Sequence, residues 1–275
     1  MIFMNVPCGK YEELKRYIAE KGRDGVVIAF SGGVDSSTLV AVSHSVLGEK
    51  VVAATAESPM YTPEELEEAK RIAKEIGIKL IVVETEELSN ENFIKNSENR
   101  CYYCKKEMLK RLQRVASELG FKAVFEGTNF SDLKCHRPGF RAVQEMKNVY
   151  SPWATTRFTK QEIRAIAKKL GFSFTDKPSN ACLASRIPYH EQITADKLVR
   201  IRKAEQLIRK ITGVKQIRVR DHNGLARIEV AKAERKIFCS DEVLEEIAEH
   251  LKSAGFKYVT VDLEGYRTGS MLLTL

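Results

Sequence analysis

The sequence contains no run of about 18 apolar residues, the length a helix needs to cross a bilayer, so no spanning segment is expected. Its first residues, MIFMNVPCGK, lack a basic lead followed by an apolar core. No secretory signal is therefore expected, and the location is read as cytoplasmic. No convincing internal repeat or low-complexity linker occurs in the 275 residues. Charged residues make up 30% and hydrophobic ones 43%, which excludes long disordered or collagen-like character. A chain of this size can bury most of its apolar surface in one large domain or two modest ones.

Charge and cysteine carry more information. The net charge is +8, and residues 195–220 hold nine Lys or Arg against two acidic residues, so most of the excess sits in one short region. An anionic ligand is expected there, although a solvated helix face accounts for part of the run. Six cysteines in a reducing compartment are read as free, metal-bound or catalytic rather than paired in structural disulfides.

The first half alternates β-branched runs with amphipathic ones: GVVIAF, Val34 to Leu47, VVAATA, Thr62 to Ile76, KLIVVE. Such alternation reads as βαβ units and an α/β fold with a doubly wound parallel sheet, here over residues 1–190. Thr62, Pro63 and Glu65 mark one helix start, and Thr159 with Glu162 marks another. A further helix is expected from near Cys104 to Leu119, followed by the strand AVFEG. Residues 191–275 read as a small α+β domain: a basic helix from Ala195 to Ile211, the hairpin strands KQIRVR and LARIEV, a helix from Asp241 to Ser253, and the strand YVTVDL.

Between the first strand and its helix stand Ser31, Gly32, Gly33, Val34, Asp35, Ser36 and Ser37. Glycines let the backbone approach an anion, and N–H groups at a helix start with hydroxyls beside them complete a phosphate cradle. The ending Gly-Lys-Ser/Thr of the Walker A loop is missing, and with it the lysine expected on the β- and γ-phosphates. The run resembles the SGGxDSS/T signature of the PP-loop ATP pyrophosphatases, which cleave ATP between the α- and β-phosphates and adenylylate a substrate oxygen. That resemblance implies ATP and Mg²⁺ as cofactors, with Ser31, Gly32, Gly33, Ser36 and Ser37 on the pyrophosphate and Asp35 contributing to the metal. Ser58, after the second strand, is expected near the adenosine. Glu126, with Thr128 and Asn129, stands at a strand end where ligands bind in such sheets. Where other PP-loop enzymes often carry acidic residues just after such an asparagine, this chain has Ser131 before Asp132.

The cysteines bear on the nucleophile. Cys101 and Cys104 form a C-x-x-C opening a helix, flanked by Arg100, Lys105 and Lys106, a setting that favours thiolate. Cys182 is the natural third ligand of a metal site; zinc completed by Cys135 or His136 and a redox C-x-x-C remain open. Cys8 and Cys239 lack partners in the sequence and are read as structural.

NRCYYCK, EGTN, DKPSNACLASRIPY and DLEGYRTGSM together resemble the LarE family over essentially the whole chain. These are ATP-dependent sulfur transferases of nickel-pincer nucleotide biosynthesis that act on pyridinium-3,5-biscarboxylic acid mononucleotide. The resemblance implies sulfur delivery from a sulfide or other sulfur donor. With all three cysteines present, it implies a 4Fe-4S cluster on Cys101, Cys104 and Cys182 rather than sacrifice of the Cys182 sulfur. It further implies a homo-oligomer, a hexamer in relatives, and a phosphate held by Arg218 and Arg220, which alternate on one strand and share a face. Ser185 and Arg186, beside Cys182, are candidate groups for offsetting charge during attack. Trp153 and Tyr103 are read as core residues rather than as partners for a pyridinium ring. Competing readings are a tRNA thiolase of the same superfamily, an amidating synthetase, and a zinc-stabilised ATP-binding regulator; no nucleic-acid or membrane partner is expected.

Overall fold

The computed structural model describes residues 8–134, 137–175, 181–267 and 269–274. In chain order the elements are α1 (Cys8–Lys21), β1 (Val26–Ala29), α2 (Val34–Leu47), β2 (Val51–Glu57), α3 (Pro63–Ile76), β3 (Leu80–Glu84), the short α4 (Glu91–Ile94), α5 (Arg100–Glu118) and β4 (Ala123–Phe125). They continue with α6 (Pro138–Glu145), β5 (Val149–Tyr150), α7 (Pro152–Thr155), α8 (Lys160–Lys169), α9 (Ala195–Thr212), β6 (Ile217–His222), β7 (Leu225–Val230), α10 (Asp241–Ser253) and β8 (Tyr258–Val261). Two compact units result: Met1–Glu87 with Cys101–Asn180, and Leu88–Arg100 with Ala181–Leu275. Among the described residues no helix is long and apolar enough to cross a membrane.

The first unit is built on a parallel five-stranded sheet in the order β3-β2-β1-β4-β5. β1 is central, with Val26 opposite both Val51 and Ala123. Its side chains alternate between two cores. Val26 and Ile28 join Leu14, Ile18, Leu39, Ile72 and Trp153 on one face, whereas Val27 joins Leu109, Leu112 and Val124 on the other. A strand covered on both faces must be apolar throughout, which is why β1 reads as a continuous run rather than an alternating one. Both expected capping boxes form: Thr62 Oγ1 accepts from Glu65 N while Thr62 N donates to Glu65, and Thr159 and Glu162 do the same.

Order along the sheet runs outward from β1 to β3, then crosses back to β4 and β5. The carboxyl ends of β1 and β4 therefore flank the topological switch point, where loops diverge and leave a crevice. The residues after β1 and after β4 stand at that place. Sequence periodicity misses β5, which is two residues long, and starts α5 too late: the helix begins at Arg100 and includes both cysteines of the C-x-x-C.

In the second unit β6 and β7 pair antiparallel, and β8 adds parallel to β7 after the crossover through α10. The hairpin turns at Asn223 (φ 49°) and Gly224 (φ 94°), the two left-handed residues a tight hairpin requires. Ala204 and Ile208 of α9 and Ile247 and Leu251 of α10 share its core with Val219 and Ile228 of the sheet.

Thr62→Ala removes the side-chain acceptor for Glu65 N and is expected to lower stability by about 1 kcal/mol. A lower urea midpoint with an unchanged denaturant slope checks it.

Candidate functional site

The turn after β1 folds on itself through Ser36. Its Oγ accepts from Ser31 N at 3.2 Å, donates to Gly33 O at 3.1 Å and lies 3.2 Å from Ser31 Oγ. Gly32 adopts φ +65°, and a Cβ there would come within 3.1 Å of Ala69 Cα. Conformation and space together exclude a side chain at Gly32. Gly33 is the N-cap of α2 and offers no side-chain cap, so Gly33 leaves the amides of the first turn without a capping hydroxyl. On the other side of the crevice Gly127 lies so close that a Cβ would sit 3.1 Å from Ser36 N. This brings together Ser31, Gly32, Gly33, Ser36 and Ser37 as a compact cradle at a helix N-terminus. Ser37 Oγ is buried and has no hydrogen-bond partner among the described residues.

Asp35, in the first turn of α2, is held at both ends. Its backbone carbonyl accepts from Trp153 Nε1 at 3.0 Å, and its Oδ2 contacts Lys160 Nζ. Oδ1 is buried without a partner among the described residues. Burial pushes the Asp35 carboxyl above its ordinary value, and the Lys160 ammonium only partly offsets this. Trp153 is fully buried, in keeping with its reading as a core residue.

Glu126 follows β4 and is buried. It accepts from Lys105 Nζ at 2.9 Å, Thr128 Oγ1 at 2.7 Å, Thr128 N at 3.2 Å and Ser151 Oγ. Burial alone would raise its pKa, but the Lys105 charge and the hydrogen bonds from Ser151, Lys105 and Thr128 hold it below the ordinary glutamate range. A carboxylate so occupied fixes the β4 loop and Lys105.

Ser58, after β2, donates to Glu87 Oε2 at 2.9 Å. The same buried carboxylate receives the Cys104 thiol, with Sγ 3.9 Å from Oε1. Cys104 is half-buried and Cys101 exposed, and both stand at the start of α5, where the peptide dipole favours thiolate while the Glu87 carboxylate beside Cys104 opposes it. Sequence reading missed Glu87 and Lys160; neither belongs to a motif, and each acquires its partner only through the fold.

In the second unit Cys182 is half-buried and caps a short 3-10 turn, Leu183–Arg186. Arg186 braces this turn: its Nη1 donates to the carbonyls of Ala181 (2.6 Å) and Cys182 (3.0 Å) and to Ser185 Oγ (3.0 Å). Its Nε and Nη2 donate to the two oxygens of buried Glu205 at 2.8 and 3.2 Å. From the other side Asn96 Nδ2 donates to the carbonyls of Pro188 (2.6 Å) and Glu191 (2.8 Å). The loop carrying Cys182 is thus fixed by side chains rather than by regular structure.

Arg218 and Arg220 share a face of β6, as expected, but differ in surroundings. Arg220 pairs with Glu229 Oε2 at 2.6 Å and donates to Ser185 O at 3.0 Å. Arg218 is buried and donates to Ile217 O at 2.7 Å, with its guanidinium 5.4 Å from the Tyr266 ring centre. It has no carboxylate partner among the described residues. Burial, reinforced by Arg186, lowers the Arg218 pKa to about 10, so it stays charged at neutral pH.

No three His, Cys, Asp or Glu side chains are gathered as a metal site among the described residues. Cys135 and His136, the alternative zinc ligands, lie outside the described residues, as does the stretch 176–180. Cys239 is exposed, so its reading as a structural residue gains no support from burial.

The stabilising contribution of Glu126 is complete above the ordinary glutamate pKa of about 4.3 and is lost as pH falls through its lower native value. Glu126→Gln is expected to lower stability at pH 7 by about 2 to 3 kcal/mol. The gap to wild type should narrow below about pH 4. Urea midpoints across pH test this, and a pH-independent gap would assign the loss to shape rather than charge.

Residues 9–120, which include the turn from Ser31 to Ser37 and the C-x-x-C, match the family model described as NAD synthase. The chain is 44% identical over 262 residues to an uncharacterized protein of Synechocystis sp., covering 95% of this chain and 96% of that one. It is 33% identical over 270 residues to an uncharacterized protein of Methanocaldococcus jannaschii, covering 98% and 100%. With the pyridinium-3,5-bisthiocarboxylic acid mononucleotide synthase of Lactiplantibacillus plantarum it shares 34% identity over 258 residues, 94% of this chain and 92% of the synthase. Such similarity across both units, with a glycine- and serine-rich turn at the switch point of a parallel sheet, shows that the chain belongs to the LarE family of ATP-dependent sulfur-transferring PP-loop enzymes.

Proposed function

We propose that the protein uses ATP to replace carboxylate oxygen by sulfur on pyridinium-3,5-biscarboxylic acid mononucleotide. The observation that carries this reading is its similarity along nearly the whole chain to a synthase whose name gives the bisthiocarboxylic product. A substrate carboxylate oxygen attacks the α-phosphorus, the bond to the bridging oxygen breaks, and pyrophosphate leaves. Sulfur then attacks the acyl carbon, and AMP departs with the former carboxylate oxygen. Amides and hydroxyls of Ser31, Gly32, Gly33, Ser36 and Ser37 take the pyrophosphate, where partial charge at the α2 N-terminus favours an anion. Asp35 contributes to Mg²⁺ binding, and Ser58 lies on the adenosine side. Arg218, which keeps its charge without a carboxylate, takes the substrate phosphate alongside Arg220.

Sulfur delivery falls to Cys101, Cys104 and Cys182. Their donor set of three thiolates suits a 4Fe-4S cluster with one iron left without a protein ligand. When bound, such a cluster supplies a place for inorganic sulfide, so that one chain turns over repeatedly. The chain itself contributes an α5 N-terminus that carries Cys101 and Cys104, and a braced turn that fixes Cys182.

Protein purified without oxygen is expected to carry about four iron and four acid-labile sulfide per chain. Both should fall away in Cys182→Ala. Absence of iron, with a mass loss at Cys182 equal to hydrogen sulfide after turnover, would make that cysteine a sacrificial donor. Salt-dependent binding of tRNA would turn the reading toward a tRNA thiolase.

A further inference from the structure

Arg186, Arg218 and Arg220 are all buried in the second unit, yet they are held in two different ways. Arg186 rests on both oxygens of Glu205, and Arg220 rests on Glu229 through Nε at 3.0 Å and Nη2 at 2.6 Å. A carboxylate fixes a guanidinium firmly. It also offsets the charge and occupies N–H groups that an arriving anion would need.

Arg218 has no such mount, although the strand register places an acid opposite it. In the pairing of β6 with β7 it faces Glu229 directly. The Glu229 oxygens are taken instead by Arg220, Arg227 and Ser270 Oγ. Glu205, the other acid near enough to act on its charge, is engaged by Arg186 and by Val219 N. Among the described residues the Arg218 guanidinium keeps one hydrogen bond, from Nη1 to Ile217 O at 2.7 Å, and the Tyr266 ring centre 5.4 Å away.

The backbone holds that ring in place. Asp262 N donates to Ile228 O at 2.8 Å, and Asp262 Oδ1 accepts from Glu264 N at 2.8 Å and Gly265 N at 3.2 Å, which closes a turn after β8. Arg227 Nη1 pins the same carboxylate through Oδ2 at 2.5 Å. Gly265 adopts φ +72°, and a Cβ there would lie 2.6 Å from Val230 O, so only glycine lets the chain come down on β7. Tyr266 N then donates to Val230 O at 2.8 Å, one residue along from Glu229. An aromatic face attracts a cation through its quadrupole and carries no formal charge, so it steadies a guanidinium without neutralising it.

We propose that Tyr266 is the positioning residue for Arg218: its ring steadies the buried guanidinium by cation–π attraction and leaves charge and N–H donors for the phosphate of the mononucleotide substrate. This rests on the reading that Arg218 takes that phosphate. Tyr266 touches the arginine and not the reacting atoms, so its effect is confined to recognition of the phosphate.

The test is calorimetric titration with pyridinium-3,5-biscarboxylic acid mononucleotide and with the corresponding nucleoside, which lacks the phosphate. Tyr266→Leu keeps an apolar side chain but removes the ring face, and it is expected to weaken the mononucleotide by about tenfold while changing the nucleoside by less than about twofold. Tyr266→Phe, which keeps the face, should stay within about twofold of wild type for both ligands. Equal losses for both ligands, a loss in Tyr266→Phe as large as in Tyr266→Leu, or wild-type affinities in Tyr266→Leu would overturn the assignment. Because Tyr266→Leu can disturb the turn, the ring face is also weakened at nearly constant shape, by placing mono-, di- and trifluorinated phenylalanine at position 266. A stepwise fall in mononucleotide affinity with each fluorine supports the cation–π contact, and a flat series refutes it. If wild type binds the mononucleotide no more tightly than the nucleoside, the phosphate reading of Arg218 fails and this inference with it, so the two failures are told apart.

Discussion

The first unit depends on a constraint of connectivity: strands added outward from β1 on one side, and then from β4 on the other, cannot close the gap between the loops at their carboxyl ends. Parallel pairing makes all those ends point the same way, so the turn after β1 and the turn after β4 face one crevice. Glycine at 32 and at 127 follows from it. Gly32 must let α3 approach, and Gly127 must let the β4 loop reach Ser36 N, because the crevice is narrow at its base. The helix that starts there contributes its amides without further design, since the first-turn N–H groups of any helix lack partners. The fold adds full charge at that place in one ion pair, Lys160 on Asp35 in the first turn of α2.

Buried charge is used differently in the second unit. Glu205 receives Arg186 on both oxygens and also Val219 N at 3.1 Å, so helix, strand and the Cys182 turn converge on one carboxylate. Glu229 serves Arg220 and Arg227 at once, with Ser270 Oγ donating at 3.1 Å. Such networks are weak sources of net stability, because desolvation of each ion offsets most of the attraction. Their effect is geometric: removing one member leaves the rest charged and buried, so the arrangement tolerates few alternatives. Arg218 is the exception, buried with no direct carboxylate partner among the described residues, though Glu205 lies near enough to act on its charge. Its carbonyl and ring contacts leave the guanidinium charge in place.

Local features were the legible ones. The capping boxes at Thr62 and Thr159 were readable because a cap needs only residues three apart, and α2 was bounded correctly from Val34 to Leu47 by its apolar run. The hairpin between β6 and β7 followed from Asn-Gly, whose left-handed preference is intrinsic. The start of α5 was not readable, since Arg100 and Cys101 carry no capping signal, and β5 is too short to show a period. Pairing across long stretches of chain left no local trace. Lys160 looks like an ordinary first-turn lysine, Glu87 like one of several surface acids, and Asn96 like a loop residue. Grouping of 88–100 with the unit that begins at Ala181 depends on contacts about 90 residues apart, such as Asn96 with Pro188, for which composition gives no sign.

The cysteines show how far local chemistry and fold must agree before a reaction is specified. Cys101 and Cys104 open a helix, a property of sequence position alone, but the fold also sets the Glu87 carboxylate against Cys104. Cys182 caps a short 3-10 turn whose carbonyls are drawn toward Arg186, and the guanidinium is shared with Glu205. Asn96 holds the far side of the same loop, and its own Oδ1 accepts from Arg100 Nη1 at 2.5 Å. Arg100 is the residue before Cys101, so the side chain that steadies the Asn96 brace is bonded through one peptide to the first residue of the C-x-x-C.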